Sequence, residues 1–382
     1  MAKLGDFFTI SSGGTPSKNK PEYYENGTIP WVKTGDLKSK YISSNIEKIT
    51  QTGVENSSAK VFPKNTVLLA MYGATIGACS ILQFEATTNQ ACAAFLPCDK
   101  VLPNYLYYFL SSKKERFVLD GVGGAQPNIS AGYLKNIEFD LLPLETQKQI
   151  AANLDKVTHT IDLCNNILEK LDLLVKARFV EMFGEPVLNP KGWEMATIGD
   201  IVTEVKYGTS HPAVEGGKYA YLRMNNLTYD GHLDLTDLKR IDIPENEIEK
   251  CVVRKGDVLF NRTNSVELVG KTCVFDEDED MVIAGYIIRV RLKPVMLSLV
   301  LSCFMNTDAL KAKLRDMAKG AVNQANINAQ ELQSIKVYLP PLDLQNQFAA
   351  FVEQTDKSKS AVKQVLEKAE TLKKALMQEY FG

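Results

Sequence analysis

Six consecutive residues in the second half of the chain, Phe260-Asn261-Arg262-Thr263-Asn264-Ser265, continue an apolar strand into a run of hydrogen-bonding side chains. Arginine in such a loop can pair with the edge of guanine, and asparagine with that of adenine. The same side chains can instead stabilise a turn of their own backbone. The counterpart in the first half, Ala70-Met71-Tyr72-Gly73-Ala74-Thr75, keeps only Tyr72 and Thr75 as polar members, so the two loops need not share one task. A second constellation, Ile288-Arg289-Val290-Arg291-Leu292-Lys293, alternates so that Arg289, Arg291 and Lys293 fall on one face of a strand. That face suits phosphate contacts or simple solvation. Lys33, Lys38 and Lys40 lie close after Trp31, Arg223 and Asn225 lie close after Tyr221, and Lys113, Lys114 and Arg116 cluster on an expected helix, as further candidate nucleic-acid contacts or plain surface charges.

Chemistry beyond binding finds little support. The only Pro-Pro pair, Pro340-Pro341, is followed by Leu342 where DNA methyl transfer to adenine or cytosine would call for an aromatic residue, and no glycine-rich cofactor loop accompanies it. Gly216-Gly217-Lys218 lacks the earlier glycine of a phosphate loop, which argues against an ATP motor. His159, His211 and His232 are scattered, and no G-x-S-x-G phrase supports a serine nucleophile. Neither catalytic residues nor metal ligands are expected. Seven cysteines, with no C-x-x-C pair, read as reduced buried thiols of a cytoplasmic protein. The first residues show no signal-peptide pattern, and the longest apolar run, around Val295 to Met305, is too short to span a bilayer. A net charge of −2 gives no global basic signal, so any grip on nucleic acid must be local.

The elements that would position these residues are written twice. Leu142-Pro143-Leu144-Glu145-x-Gln147-x-Gln149 returns as Pro340-Pro341-Leu342-Asp343-x-Gln345-x-Gln347, 198 residues later. Gln126-Pro127-Asn128-Ile129 returns as Gln324-Ala325-Asn326-Ile327, and Glu181-Met182-Phe183-Gly184 as Glu379-Tyr380-Phe381-Gly382, at the same offset. Nearer the start of each copy, Trp31-Val32-Lys33 answers Tyr221-Leu222-Arg223 and Val67-Leu68-Leu69 answers Val258-Leu259-Phe260, with the offset drifting between about 190 and 194. Order kept over so many landmarks implies a duplication with pseudo-two-fold symmetry.

Within each copy the front and back differ in kind. Ile150, Leu154, Val157, Ile161, Cys164, Leu168, Leu171 and Val175 step by four and three through a stretch free of proline and glycine. Phe348, Val352, Val362, Leu366, Ala369, Leu372 and Leu376 form the matching face in the second copy, interrupted by Thr355 and Lys359. The front parts read as short strands broken by turns, with helices expected over Tyr105 to Val118 and Leu299 to Ala318. The expected fold is therefore α+β: a recognition domain over 1–142, a helix over 143–184, a linker over 185–197, a second domain over 198–339 and a second helix over 340–382. The two helices are expected to pair as an antiparallel coiled coil.

Ser12-Gly13-Gly14-Thr15-Pro16-Ser17, Ile29-Pro30-Trp31-Val32 before Asp36-Leu37, Gly124-Ala125-Gln126-Pro127-Asn128-Ile129 and the Leu-Pro-Leu-x-x-Gln-x-Gln helix start, taken in order and in duplicate, resemble the specificity subunits of type I restriction-modification systems. The second copy departs from the pattern, with Tyr207-Gly208-Thr209-Ser210-His211 at its opening and Ala325 in place of Pro127. The resemblance implies a non-catalytic subunit that binds double-stranded DNA at a bipartite target, one half per domain. It implies two methyltransferase (modification) subunits docked on the helices, and restriction/translocase subunits beyond them. S-adenosylmethionine, ATP and Mg would belong to those partners and no cofactor to this chain. The seam from Ile150 to Val175 would be about 38 Å long, close to the ~34 Å of one DNA turn. A protein-binding adapter built on the duplicated domain is the alternative.

Overall fold

With no proline or glycine between Glu145 and Met182 or between Asp343 and Tyr380, nothing interrupts helix propagation. In the computed structural model these stretches form two helices of 40 residues each, Leu144–Phe183 and Leu342–Phe381. The structure describes residues 2–121, 128–321 and 324–382. The chain divides into two units, Met1–Asn165 with Lys363–Gly382, and Asn166–Val362. Each unit therefore holds the start of one long helix and the end of the other, which makes the pair antiparallel.

Aromatic side chains lock these helix ends into the cores. In the first unit Phe381 packs against Tyr105 and Phe109, with ring centroids 5.4 and 6.0 Å apart, beside Ile150 and Leu154 from the start of the first helix. In the second unit Phe348 packs against Phe179 and Phe183 at 5.6 and 5.3 Å. The repeated Met-Phe-Gly and Tyr-Phe-Gly phrases are thus the aromatic plugs that close each unit. The polar interruptions of the second seam lie within it. Thr355 is 5% exposed and donates to Phe351 O, and Lys359 reaches Asp172 at 2.7 Å. Leu372, counted with the apolar face, is 49% exposed and lies off it.

The first Gln of each helix-start phrase is fully buried. Gln147 Oε1 accepts from Leu102 N at 2.9 Å, while its Nε2 donates to Lys100 O and Leu142 O at 2.9 and 2.8 Å. Gln345 repeats this with Leu297 N at 2.9 Å, Val295 O at 3.1 Å and Pro340 O at 2.8 Å. One amide satisfies three backbone groups that would otherwise be buried unpaired, and so fastens helix to domain.

The main sheet is duplicated strand for strand. The first unit has an antiparallel sheet in the order Ile10–Ser12, Cys92–Phe95, Val67–Ala70, Cys79–Ile81, and the second has Val202–Tyr207, Ile287–Leu292, Val258–Asn261, Thr272–Val274. Both central strands are buried on both faces. Val67 and Leu69 enter one core cluster and Leu68 and Ala70 another, just as Val258 and Phe260 part from Leu259. A second sheet in each unit, three-stranded in the first and four-stranded in the second, carries a parallel pair, Ile29–Val32 with Thr87–Thr88 and Tyr219–Leu222 with Met281–Ile283.

Three expectations need correction. Each of the two expected domain helices is broken, into Pro103–Ser112 and Lys114–Leu119 in the first unit and Ser298–Met305 and Asp308–Met317 in the second. At the second break the Asn306 amide donates to Ser302 O at 2.9 Å and to Thr272 O at 2.7 Å, and Thr307 Oγ1 donates to Phe304 O at 2.9 Å, a competition with helix bonding that these side chains favour. Residues 185–197 are not a linker throughout, because Glu194–Thr197 pairs with Lys336–Leu339 as an antiparallel ribbon.

Candidate nucleic-acid interface

Arg262 sits where the central strand of the second unit leaves the sheet. Its backbone is held on both sides: its N donates to Tyr286 O and its O accepts from Ile327 N, both at 2.9 Å. Its guanidinium lies 4.8 Å from the centre of the Tyr207 ring, with Nη2 donating to Asn326 Oδ1 at 3.2 Å and Nη1 to Gly285 O at 3.4 Å. The ring is fixed in turn, since Tyr207 Oη accepts from Ala329 N at 2.8 Å. A guanidinium has five N–H donors, and among the described residues Nε has no partner. That Nε is buried and offers nothing to a ligand, whereas Nη1 and Nη2 make one bond each and carry the remaining donors, and the side chain lines a cleft of about 460 Å³. Ser210, His211, Glu247, Lys250 and the half-exposed Tyr286 line the rest of it. Stacking on the phenol supports the planar cation without consuming its hydrogens.

The neighbours of Arg262 serve the turn. Asn261 is fully buried and donates to Thr263 O and Tyr286 O at 3.2 and 3.1 Å. Asn264 donates to Asn261 Oδ1 and accepts from Ser265 N, both at 2.9 Å. The expectation of a base contact from Asn261 is thereby corrected, since its side chain is fully buried, while the partly buried Asn264 is joined to Asn261 and Ser265 in the loop that presents Arg262.

The alternating strand is corrected too. Arg289 is 0% exposed and cannot touch a phosphate. It donates to Glu204 Oε2 at 2.5 Å and to the carbonyls of Glu249 and Val252. Arg291 joins Asp257 through two bonds of 2.8 and 3.2 Å and Glu204 through one of 3.1 Å. Burial raises the Glu204 carboxyl, but the bond from Lys206 and the Arg289 charge outweigh it and hold the group below the usual carboxylate range. The alternation is real, but its face points inward onto Glu204 and Asp257. Only Lys293 is exposed, and its ammonium donates to Asp200 O at 2.7 Å.

Elsewhere the candidates stay at the surface. Arg223 is anchored on Asp237 through Oδ2 at 2.7 Å and O at 3.0 Å, and Asn225 is exposed in the turn that follows. That turn rests on two buried lysines that sequence reasoning missed. Lys271 Nζ donates to Met224 O at 2.6 Å and Lys311 to Tyr229 O, and burial pushes the Lys311 ammonium down to about 8. In the first unit Lys33 pairs with Glu47 at 2.6 Å beside the Trp31 ring, while Lys38 is exposed. Tyr72 is 43% exposed and bridges Asn128, and Thr75 donates to Tyr72 O at 3.4 Å. Gln126 and Pro127 of the repeated phrase lie outside the described residues. Its last residue Ile129 donates from N to Met71 O at 3.0 Å, as Ile327 does to Arg262 O, so this end of the phrase is structural in both copies.

The glycine openings match more closely than their letters suggest. A Cβ on Gly13 would lie 1.9 Å from Thr88 O, and one on Gly208 2.1 Å from Ile283 O, so each copy needs glycine at this crossing. Trp31 Nε1 donates to Gly14 O at 3.0 Å, and Tyr221 Oη to His211 O at 3.2 Å, so the paired aromatic residues hold the two openings alike. Among the described residues no helix is long and apolar enough to cross a membrane, and no cluster of metal-ligating side chains occurs. All seven cysteines are free, and burial pushes the thiols of Cys92, Cys273 and Cys303 up to about 12, where they are inert.

Comparison with known proteins adds a family to this geometry. The type I restriction modification DNA specificity domain matches residues 1–173 and again 190–371. The specificity subunit of the type I restriction enzyme MjaIX from Methanocaldococcus jannaschii is 33% identical over 253 residues, 59% of this chain and 57% of that protein. The match thus spans little more than half the length of that relative. The EcoKI specificity subunit of Escherichia coli is 24% identical over 93% of this chain and 81% of its own. A chain solved in work on complex assembly and conformational transition of the type I restriction-modification system shares the fold, with a TM-score of 0.61 at 19% identity over 100% of this chain and 96% of that one. Both halves of the duplication are covered by the family match, and the chain belongs to the type I restriction-modification DNA specificity domain family.

Proposed function

We propose that this chain selects the DNA target of a type I restriction-modification complex. Each unit reads one half of a bipartite site in double-stranded DNA. The observation that carries this reading is a frame kept residue for residue, Gly13 with Gly208 and Gln147 with Gln345, around positions whose side chains differ. A shared frame with unlike reading groups suits two half-sites of unlike sequence. Arg262, held over Tyr207, is the base-reading group of the second unit, and Lys33, Lys38 and Lys293 suit phosphates.

The chain carries no reaction of its own in this reading. Two methyltransferase subunits dock on the long helices, where Leu173, Leu174 and Val365 are about half exposed. They hold S-adenosylmethionine, and restriction/translocase subunits hold ATP and Mg. Such a complex works in the cytoplasm. Selection from a random duplex pool by the chain assembled with its modification subunits tests the proposal. The expected product is one motif with two fixed parts and a gap, bound more weakly as salt rises. Enrichment of no sequence would leave a protein-binding adapter as the better account.

A further inference from the structure

The first unit has a group of different chemistry at the place where the second unit presents Arg262. Backbone bonds align the two places without ambiguity. Gly14 N donates to Thr88 O at 2.8 Å, as Thr209 N does to Ile283 O at 2.9 Å. Met71 N donates to Ala91 O at 2.8 Å, as Arg262 N does to Tyr286 O at 2.9 Å. Met71 therefore stands for Arg262, Thr15 for Ser210 and Gln90 for Gly285, the residue whose carbonyl touches the guanidinium. Met71 is 3% exposed and apolar, so the first unit has no charged arm here. Gln90 is exposed, at the position that Gly285 holds in the second unit. Its amide is oriented by a surface hydrogen bond, in which Thr15 Oγ1 donates to Gln90 Oε1 at 2.5 Å.

A glutamine held by its oxygen keeps one further acceptor position on Oε1 and both hydrogens on Nε2. That side-by-side acceptor and donor matches N6 and N7 of adenine in the major groove, whereas the fork of donors on arginine matches O6 and N7 of guanine. We infer that Gln90, oriented by Thr15, is a specificity-determining residue of the first unit and reads adenine at the place where the second unit reads guanine with Arg262. Thr15 is a positioning residue that acts through the Gln90 amide. The inference rests on the proposed role in DNA reading.

The test is the methylated motif imposed by the full chain expressed with its modification subunits, read for the unaltered chain and for Gln90→Ala, Thr15→Val and Thr15→Ser. Gln90→Ala is expected to relax one adenine position of one half-site, with discrimination falling on the order of ten-fold or more, and to leave the other half-site intact. Thr15→Val is expected to relax the same position in part, and Thr15→Ser to restore it. An unchanged motif in Gln90→Ala, or a uniform loss of methylation at every site, would overturn the inference while leaving the role in DNA reading in place. An unaltered chain that imposes no motif would overturn that role itself.

Discussion

Arg262 and Arg289 show why residue type alone does not assign a task. Both follow strand residues and both carry the same charge, yet one is stacked at the mouth of a cleft and the other is fully buried among carboxylate and carbonyl oxygens. Arg262→Ala should weaken binding to the cognate target by about 1–3 kcal/mol and relax one position of the site. Competition with single-base variants checks this, and equal weakening on every sequence would instead mark a phosphate contact. Arg289→Ala should leave the recognised motif unchanged while costing about 1–3 kcal/mol of stability, because it takes a buried donor from the carbonyls of Glu249 and Val252 and one of three cations from Glu204. Denaturant unfolding read alongside the motif separates the two outcomes. The sequence showed that Arg289 and Arg291 share a face, since alternation is local. Which side that face points to was illegible, because Glu204 lies 85 residues from Arg289 and Asp257 lies 34 from Arg291.

At the scale of elements, the long helices were legible because unbroken propagation needs only the absence of proline and glycine. The shorter ones were not. The break at Asn306 is held by Thr272, 34 residues earlier, and no local pattern announces it. The helix-start phrase was legible as a landmark but not as a mechanism: its Gln closes three backbone bonds, a role visible only once the domain is folded around it. Gln345→Leu should therefore destabilise the second unit by about 2–4 kcal/mol, since it strands several buried backbone groups together. Thermal or denaturant unfolding checks this, and a change below about 0.5 kcal/mol, the range of ordinary surface substitutions, would contradict the clamp. The side chain at position 90 is not legible in the sequence because its partner at position 15 is 75 residues away and no landmark phrase includes it.

For the whole molecule the duplication matters most. Two units repeat one topology, each closed by the end of one long helix and the start of the other, and the family match covers both. A net charge of −2 over 382 residues gives no bulk attraction for DNA, so the proposed discrimination would have to come from a few placed groups such as Arg262. The acidic run Asp276–Asp280 fits this view, with Lys255 bound to Asp278 at 2.8 Å and Arg254 to Asp280 at 3.1 Å, a self-paired patch unsuited to phosphates. The most direct test is the adenine methylome of a cell carrying this chain and its modification subunits, compared with the same cell lacking only this chain. The expected result is loss of a single bipartite motif with unlike halves. An unchanged methylome beside an active modification subunit would contradict the account.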